Sequence, residues 1–295
     1  STGDVVTIGA GFTSALTVQL DDDASGNTVT ATNYVGAGLT VKVDSADATD
    51  TGTSNTLTGS AGTDVLEVSI TGANTVLAQT NMTNFETVTI VDGTADTNHA
   101  ATFTLANENA TYTNSTTYQT ITVDATAIGA DGDTVNITAA AETDAKVIIN
   151  GGAGVNTITL SKSANFGDTI DAGAGDDVIV SALNAGTAYL TADDTVAGGL
   201  GDDTLQFDAD VTATDAIFAN VSSVETVEGK TATVNLNLTL GANADAAGIR
   251  TANFSDTGAA ETITVSAGFS SNLANDLDAD TNLNTVTAST YTRYM

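Results

Sequence analysis

Apolar and polar residues alternate in short runs along most of the chain. Val5–Ile8, Leu16–Leu20, Val29–Thr32 and Leu39–Val43 place an aliphatic residue at every second position, with Thr or another polar residue between. That period of two predicts half-buried β-strands. The same pattern returns in Thr233–Leu240, Ile249–Phe254, Glu261–Val265 and Leu283–Ala288. Residues 44–58 and 91–120 are rich in Asp, Ser, Thr, Gly and Asn, and are expected to be loops. Asn74–Met82 and Asp215–Val221 carry apolar residues at helix-like spacing, so each predicts a short helical turn.

From Ile121 onward the strands acquire a longer rhythm. Val135, Ile158, Ile179 and Leu205 each follow a Gly/Asp turn, at spacings of 23, 21 and 26. Rungs of that length suit a parallel β-helix, in which each coil packs only on its neighbours. The chain also repeats itself. Residues 59–90 align without gaps on 198–229, at a constant offset of 139, with nine of 32 positions identical. The identities include Gly59/Gly198, Asp64/Asp203 and the Glu-Thr-Val triplets at Glu86 and Glu225. The expected fold class is all-β: an elongated parallel β-helix or β-solenoid. Residues 1–120 are expected to form an N-terminal β region, partly solenoidal, and 121–295 a β-solenoid able to continue from it.

The turns carry the candidate chemistry. Gly59-Ser-Ala-Gly-Thr-Asp64, Gly151-Gly-Ala-Gly-Val-Asn156, Ala172-Gly-Ala-Gly-Asp-Asp177 and Gly198-Gly-Leu-Gly-Asp-Asp203 share one plan. Glycines permit a tight turn with backbones in close approach. The sixth residue adds a carboxylate or amide oxygen to the carbonyls of the turn. Oxygen-only donors on a turn suit Ca²⁺, which takes 6–8 of them. One turn offers too few, so two stacked turns must share an ion. Stacking is expected to align Asp131 and Asp133, Asn156, Asp177 and Asp203 in a column, with acids of neighbouring turns such as Asp168, Asp171, Asp193 and Asp194 completing sites. The candidate metal ligands are therefore Asp64, Asp131, Asp133, Asn156, Asp171, Asp176, Asp177, Asp202 and Asp203. Asp276–Asp280 lacks the Gly and Glu of a helix–loop–helix calcium loop and is expected to be an acidic loop.

These turns resemble the RTX nonapeptide G-G-x-G-x-D-x-U-x, whose resemblance implies a calcium-binding β-solenoid. The Glu-Thr-Val strands are similar to those of large bacterial RTX surface proteins, surface-layer subunits among them. The copies depart from the family pattern in not following one another at nine residues, and in Ala172 and Ser60 replacing glycines.

Composition narrows the function. Lys+Arg number 6 against 37 Asp+Glu, a net charge of -31. Phosphate recognition needs cations, so nucleic acid is excluded as a partner. Thirty of the acids are Asp, and Thr makes up roughly a fifth of the chain. The turns are thus acidic and the strands Thr-rich. So much like charge needs neutralising cations in a compact fold. An extracellular, calcium-rich setting fits, though a halophilic cytoplasm also favours acidic surfaces. There is no Cys, so no disulfide or thiolate site. No apolar run is long enough to span a bilayer, and no signal peptide is visible at Ser1. His99 is the sole histidine and lies in a polar stretch, which argues against a Ser-His-Asp triad or a zinc site.

The expected function is structural, not enzymatic. The resemblance implies a secreted, calcium-dependent cell-surface protein, with Ca²⁺ as its cofactor, that assembles with copies of itself into a surface layer. Alternatives are an adhesin or biofilm-matrix module binding a foreign partner, such as a cell-surface polysaccharide, and a polysaccharide-acting β-helix enzyme.

Overall fold

In a computed structural model the chain winds as a parallel β-solenoid. The structure describes residues 3–20, 26–44, 55–70, 75–78, 82–93, 100–105, 119–129, 133–163, 166–181, 183–184, 187–188, 190–230, 234, 236–254, 261–277 and 285–288. His99, Asp131 and the Asp21–Asp23 run lie outside the described residues.

Two nine-stranded parallel sheets form the body. Face one runs from Leu16–Gln19 to Val221–Ser222, and face two from Thr75–Ala78 to Ala274–Leu277. A third face is present near each end. Four strands from Val5–Thr7 to Met82–Thr83 supply it first, and four from Val211–Ala213 to Thr285–Ala288 supply it last. Along the chain the first set alternates with strands of face one and the last with strands of face two; Met82–Thr83 and Val211–Ala213 are the members visited between face two and face one. Hydrogen-bonded ladders pass unbroken through position 120, because Thr120–Asp124 pairs with Thr87–Asp92 on one side and Lys146–Asn150 on the other.

The alternating pattern explains the packing. In Lys146–Asn150 and Thr134–Thr138 every second residue is buried and the others half-buried. Inward residues stack rung on rung: Ile137, Ile158, Ile179, Leu205 and Val227 form one column, none of them exposed to solvent. Outward positions carry Thr in register, as in Thr204, Thr226 and Thr251. β-branched side chains lie well on such a pleated surface, and cross-strand Thr pairs add to it.

The structure corrects the expectations in several places. Ile158 pairs with Ile137, and not with Val135. Residues Ala100–Thr104 form a strand inside the stretch expected to be loop, as do Thr56–Thr58. Asp215–Phe218 is a 3-10 turn, whereas Thr75–Ala78 is a strand. Asp276 belongs to the strand Ala274–Leu277 rather than a loop. A one-turn helix, α1 (Ala242–Ala247), interrupts the alternating C-terminal strands; it ends where Gly248 adopts φ +109, the glycine stop of many helices.

The internal duplication is visible as geometry. Strands Thr56–Thr58, Val65–Ile70, Met82–Thr83 and Thr87–Asp92 recur as Thr195–Ala197, Thr204–Phe207, Val221–Ser222 and Thr226–Gly229. Asn84 and Ser223, equivalent in the two copies, are the two non-glycine residues with positive φ among those described, at 57° and 51°. The copies do not occupy the same faces. The first runs from the third face onto face one, and the second from face one onto face two. The repeated unit is a corner and its strand, which fits any edge of the coil.

Candidate metal site at the glycine corners

One rule governs the corners. The residue just before a strand carries an acid or amide, whose oxygen accepts the backbone N–H of the equivalent residue one coil back. At the edge leading onto face two, Asp203 Oδ1 accepts from Asp177 N at 2.8 Å, Asp177 Oδ1 from Asn156 N at 2.7 Å, and Asn156 Oδ1 from Val135 N at 3.2 Å. Glu225 continues the column, its Oε2 accepting from Asp203 N at 2.8 Å. At the edge leading onto face one, Asp64 accepts from Leu39 N, Glu86 from Asp64 N, Asp168 from Val147 N and Asp194 from Asp168 N. On the third face Asn27 accepts from Asp4 N and Asn55 from Asn27 N. Each bond caps an N–H that the ladder leaves over, and buried N–H groups are costly to leave unpaired.

The corners differ in what holds the second oxygen. Asp168 Oδ2 accepts from Ser161 N at 2.9 Å, and Asp194 Oδ2 from Thr191 N at 2.6 Å and Thr191 Oγ1 at 3.1 Å. Asp64 Oδ2 accepts from Ser60 N. These three carboxylates are satisfied by the protein alone. Asp177 Oδ2 and Asp203 Oδ2 are buried without a hydrogen-bond partner. Both residues are almost wholly buried, at 1% and 0% exposure. A buried carboxylate oxygen without a donor is tolerable only if it is protonated or binds a cation.

The surroundings match a cation. A Cβ placed on Gly198 would stand 1.8 Å from Ser223 O and 2.4 Å from Asp203 Oδ2, so a carbonyl and a carboxylate oxygen converge there. Stacked turn backbones surround them: Gly173 O accepts from Leu200 N and Leu200 O from Gly175 N. Gly173 and Gly199, at φ +107 and +112, let these backbones meet; a Cβ on Gly199 would lie 2.0 Å from Gly173 O. No three His, Cys, Asp or Glu side chains cluster around one point among the described residues. An ion at Asp177 or Asp203 would therefore draw most of its shell from turn carbonyls, which Ca²⁺ accepts readily.

Charge and burial act on these acids together. Burial pushes the Asp177 carboxyl up to about 7; the Asn156 backbone N–H opposes this and the Asp203 charge reinforces it. Burial likewise raises Asp203, with the Asp177 N–H opposing and Glu225, Asp176 and Asp202 adding to the rise. Asp168 is pushed up to about 6, mainly by burial, despite its Ser161 hydrogen bonds.

The remaining expected ligands fall elsewhere. Asp133 is buried but stands two residues before the column; it takes the place of Gly154, whose Cβ would meet Asp133 O at 1.7 Å. The column position on that rung is Val135. Asp171, Asp176 and Asp202 are exposed, and Asp176 Oδ1 accepts from Asp202 N at 2.9 Å on the outer surface. Asp168 and Asp194, named above only as completing groups, are full members of a second column. Their signal in the sequence is the nine-residue interval to Asp177 and to Asp203, hidden because their own corners use Ser161 and Thr191 instead of glycines. Glu142 was not anticipated at all. It is wholly buried, its Oε1 accepts from the N–H groups of Thr143, Asp144 and Ala145, and burial drives it up to about 7.

Comparison with known families agrees with this geometry. Residues 164–187 and 191–209 match the RTX calcium-binding nonapeptide repeat. The matched segments contain both columns where they run side by side, Asp168 with Asp177 and Asp194 with Asp203. No curated protein and no solved structure matches the chain. Fold and comparison together define a parallel β-solenoid with two segments that resemble RTX calcium-binding nonapeptide repeats.

Proposed function

We propose that the chain is a secreted structural protein of the cell surface, which folds around Ca²⁺ and assembles with copies of itself into a surface layer. The observation that carries this reading is the pair of buried, partnerless oxygens on Asp177 and Asp203, within segments that match calcium-binding repeats. Ca²⁺ supplies the positive charge that these corners lack. With 37 acids against 6 basic residues, the chain has few cations of its own to offer. Lys42–Glu67 and Arg250–Asp245 are ion pairs on the coil exterior, remote in sequence from the two corners.

Assembly is supported by the edge strands among the described residues. Val5–Thr7 and Thr285–Ala288 each pair on one side only among the described residues, and Val5 and Val286 are exposed on them. A strand with one unpaired edge can accept a further strand. The test is light scattering and circular dichroism across a calcium titration, with a chelated control. A calcium-dependent series of oligomers is expected, with a weakened β signal and a lower melting temperature on chelation. A monomer at all calcium concentrations would rule out the layer, and an unchanged spectrum would rule out calcium-dependent folding.

A further inference from the structure

The face-two column contains one corner whose column side chain differs from those of the next two corners by a single heavy atom. At Asn156 the atom equivalent to the partnerless Oδ2 is an amide nitrogen. Asn156 Nδ2 donates to Gly154 O at 2.7 Å, to Ala172 O at 3.1 Å and to Gly152 O at 3.3 Å. The Val135 N–H on Oδ1 fixes which way round the amide lies. Three carbonyls, two from its own corner and one from the next, thus converge on a donor. Positive charge is what the same place needs at Asp177 and Asp203, where an acid oxygen replaces the nitrogen. The backbone responds as well. Gly173, Gly175, Gly199 and Gly201 adopt positive φ, whereas the stacked Gly152 and Gly154 do not. The three corners are otherwise in register: Ala174 N donates to Gly152 O, and Leu200 N to Gly173 O.

We propose that Asn156 is a built-in substitute for a cation, so that the 151–156 corner is a permanently ion-free rung that ends the calcium column. Its amide gathers the carbonyls that an ion would otherwise gather, and Val135 on the preceding rung has no side-chain oxygen to extend the column. The coil therefore holds its shape at this rung without calcium, and ion-dependent order begins at Asp177. This reading rests on calcium being the partner of Asp177 and Asp203, but its key prediction can be read without calcium.

The experiment pairs Asn156→Asp with Asp203→Asn, the reciprocal exchange. In chelator at pH 8, Asn156→Asp should melt several degrees below the unsubstituted protein, because a third carboxylate now faces carbonyls. Asp203→Asn should melt several degrees above it. In calcium, equilibrium dialysis should give one more ion per chain for Asn156→Asp and one fewer for Asp203→Asn. Equal melting of all three proteins in chelator would overturn the proposal, as would an unchanged ion count for Asn156→Asp in a protein that binds calcium. If Asn156→Asp does not fold in chelator but folds in calcium, the proposal is supported. If it folds in neither, Asp203→Asn decides by its melting temperature. If the unsubstituted protein binds no calcium yet the two variants shift in opposite directions in chelator, the calcium reading fails and the role of Asn156 stands.

Discussion

Serine or glycine at the second place of a corner decides whether its carboxylate is self-sufficient. Ser60 turns its N–H onto Asp64 Oδ2, and the corner closes on itself. Gly199, at the equivalent place, adopts φ +112 and leaves Asp203 Oδ2 without a donor. An L side chain is strained in that conformation, and its Cβ would meet Gly173 O at 2.0 Å. Gly199→Ala should therefore destabilise the calcium-loaded protein by about 2 kcal/mol or more, since strained backbone alone costs of order 1–3 kcal/mol. It should also weaken calcium binding, because the carbonyls of the 198–203 corner would be displaced. Thermal melting and calcium titration of the variant check both. Gly9, with open space around it, is the control, and its alanine variant should melt as the unsubstituted protein does.

At the scale of the strand, the inward column sets stability and the outward one contributes little. Ile158 and Ile179 are fully buried and stack directly. Truncating Ile158 to Ala should cost roughly 2–5 kcal/mol, the usual range for emptying a packed aliphatic site. Thr159→Ala, one residue on and half-exposed, should stay within about 0.5 kcal/mol. Urea denaturation of both variants, with calcium present, tests the contrast; equal losses would mean the alternating pattern does not report the core. That pattern made the strands legible in the sequence, because a period of two has one physical meaning when a single face is buried. Register was less legible. The interval from Val135 to Ile158 looks like a rung, yet Ile137 is the partner, because Gly129 and Gly132 before Thr134 fall out of phase with the corner glycines and Asp133 stands level with Gly154. The glycine corners at 151, 172 and 198 were evident, whereas the Asp168 and Asp194 corners were not, since Ser161 and Thr191 do by hydrogen bonding what glycine does by conformation. Which acids are short of a donor depends on where individual N–H groups point, and no spacing of residues encodes that. α1 escaped notice because six residues with no apolar stripe give no helical period, and the left-handed Gly248 was its one signal.

For the whole solenoid, stability must depend on what neutralises the corners. Burial holds the folded-state carboxyl of Asp177 near 7, well above its ordinary 3.8. Asp168 is raised to about 6, and Asp203, Asp194 and Glu86 are raised by burial in the same direction. Each such group binds its proton more tightly folded than unfolded. Unfolding then releases protons between the ordinary carboxylate value and the raised one, and stability falls as pH climbs through that window. In chelator the melting temperature should be highest near pH 4, fall through pH 5 and be lower by several degrees at pH 8, with most of the loss complete just above pH 7. Calcium competes with the proton for the same oxygens, so it should stabilise strongly at pH 8 and little at pH 5. The general repulsion of a chain with net charge -31 acts in the same sense, but it is screened by monovalent salt. The two are separated by adding sodium chloride at pH 8. Salt that recovers the whole loss would assign it to diffuse charge. A remainder that only millimolar calcium recovers would place it at the buried corners. A melting temperature that rises from pH 5 to pH 8 without calcium would mean that these acids are folded as comfortable anions, and that the solenoid needs no ion to stand.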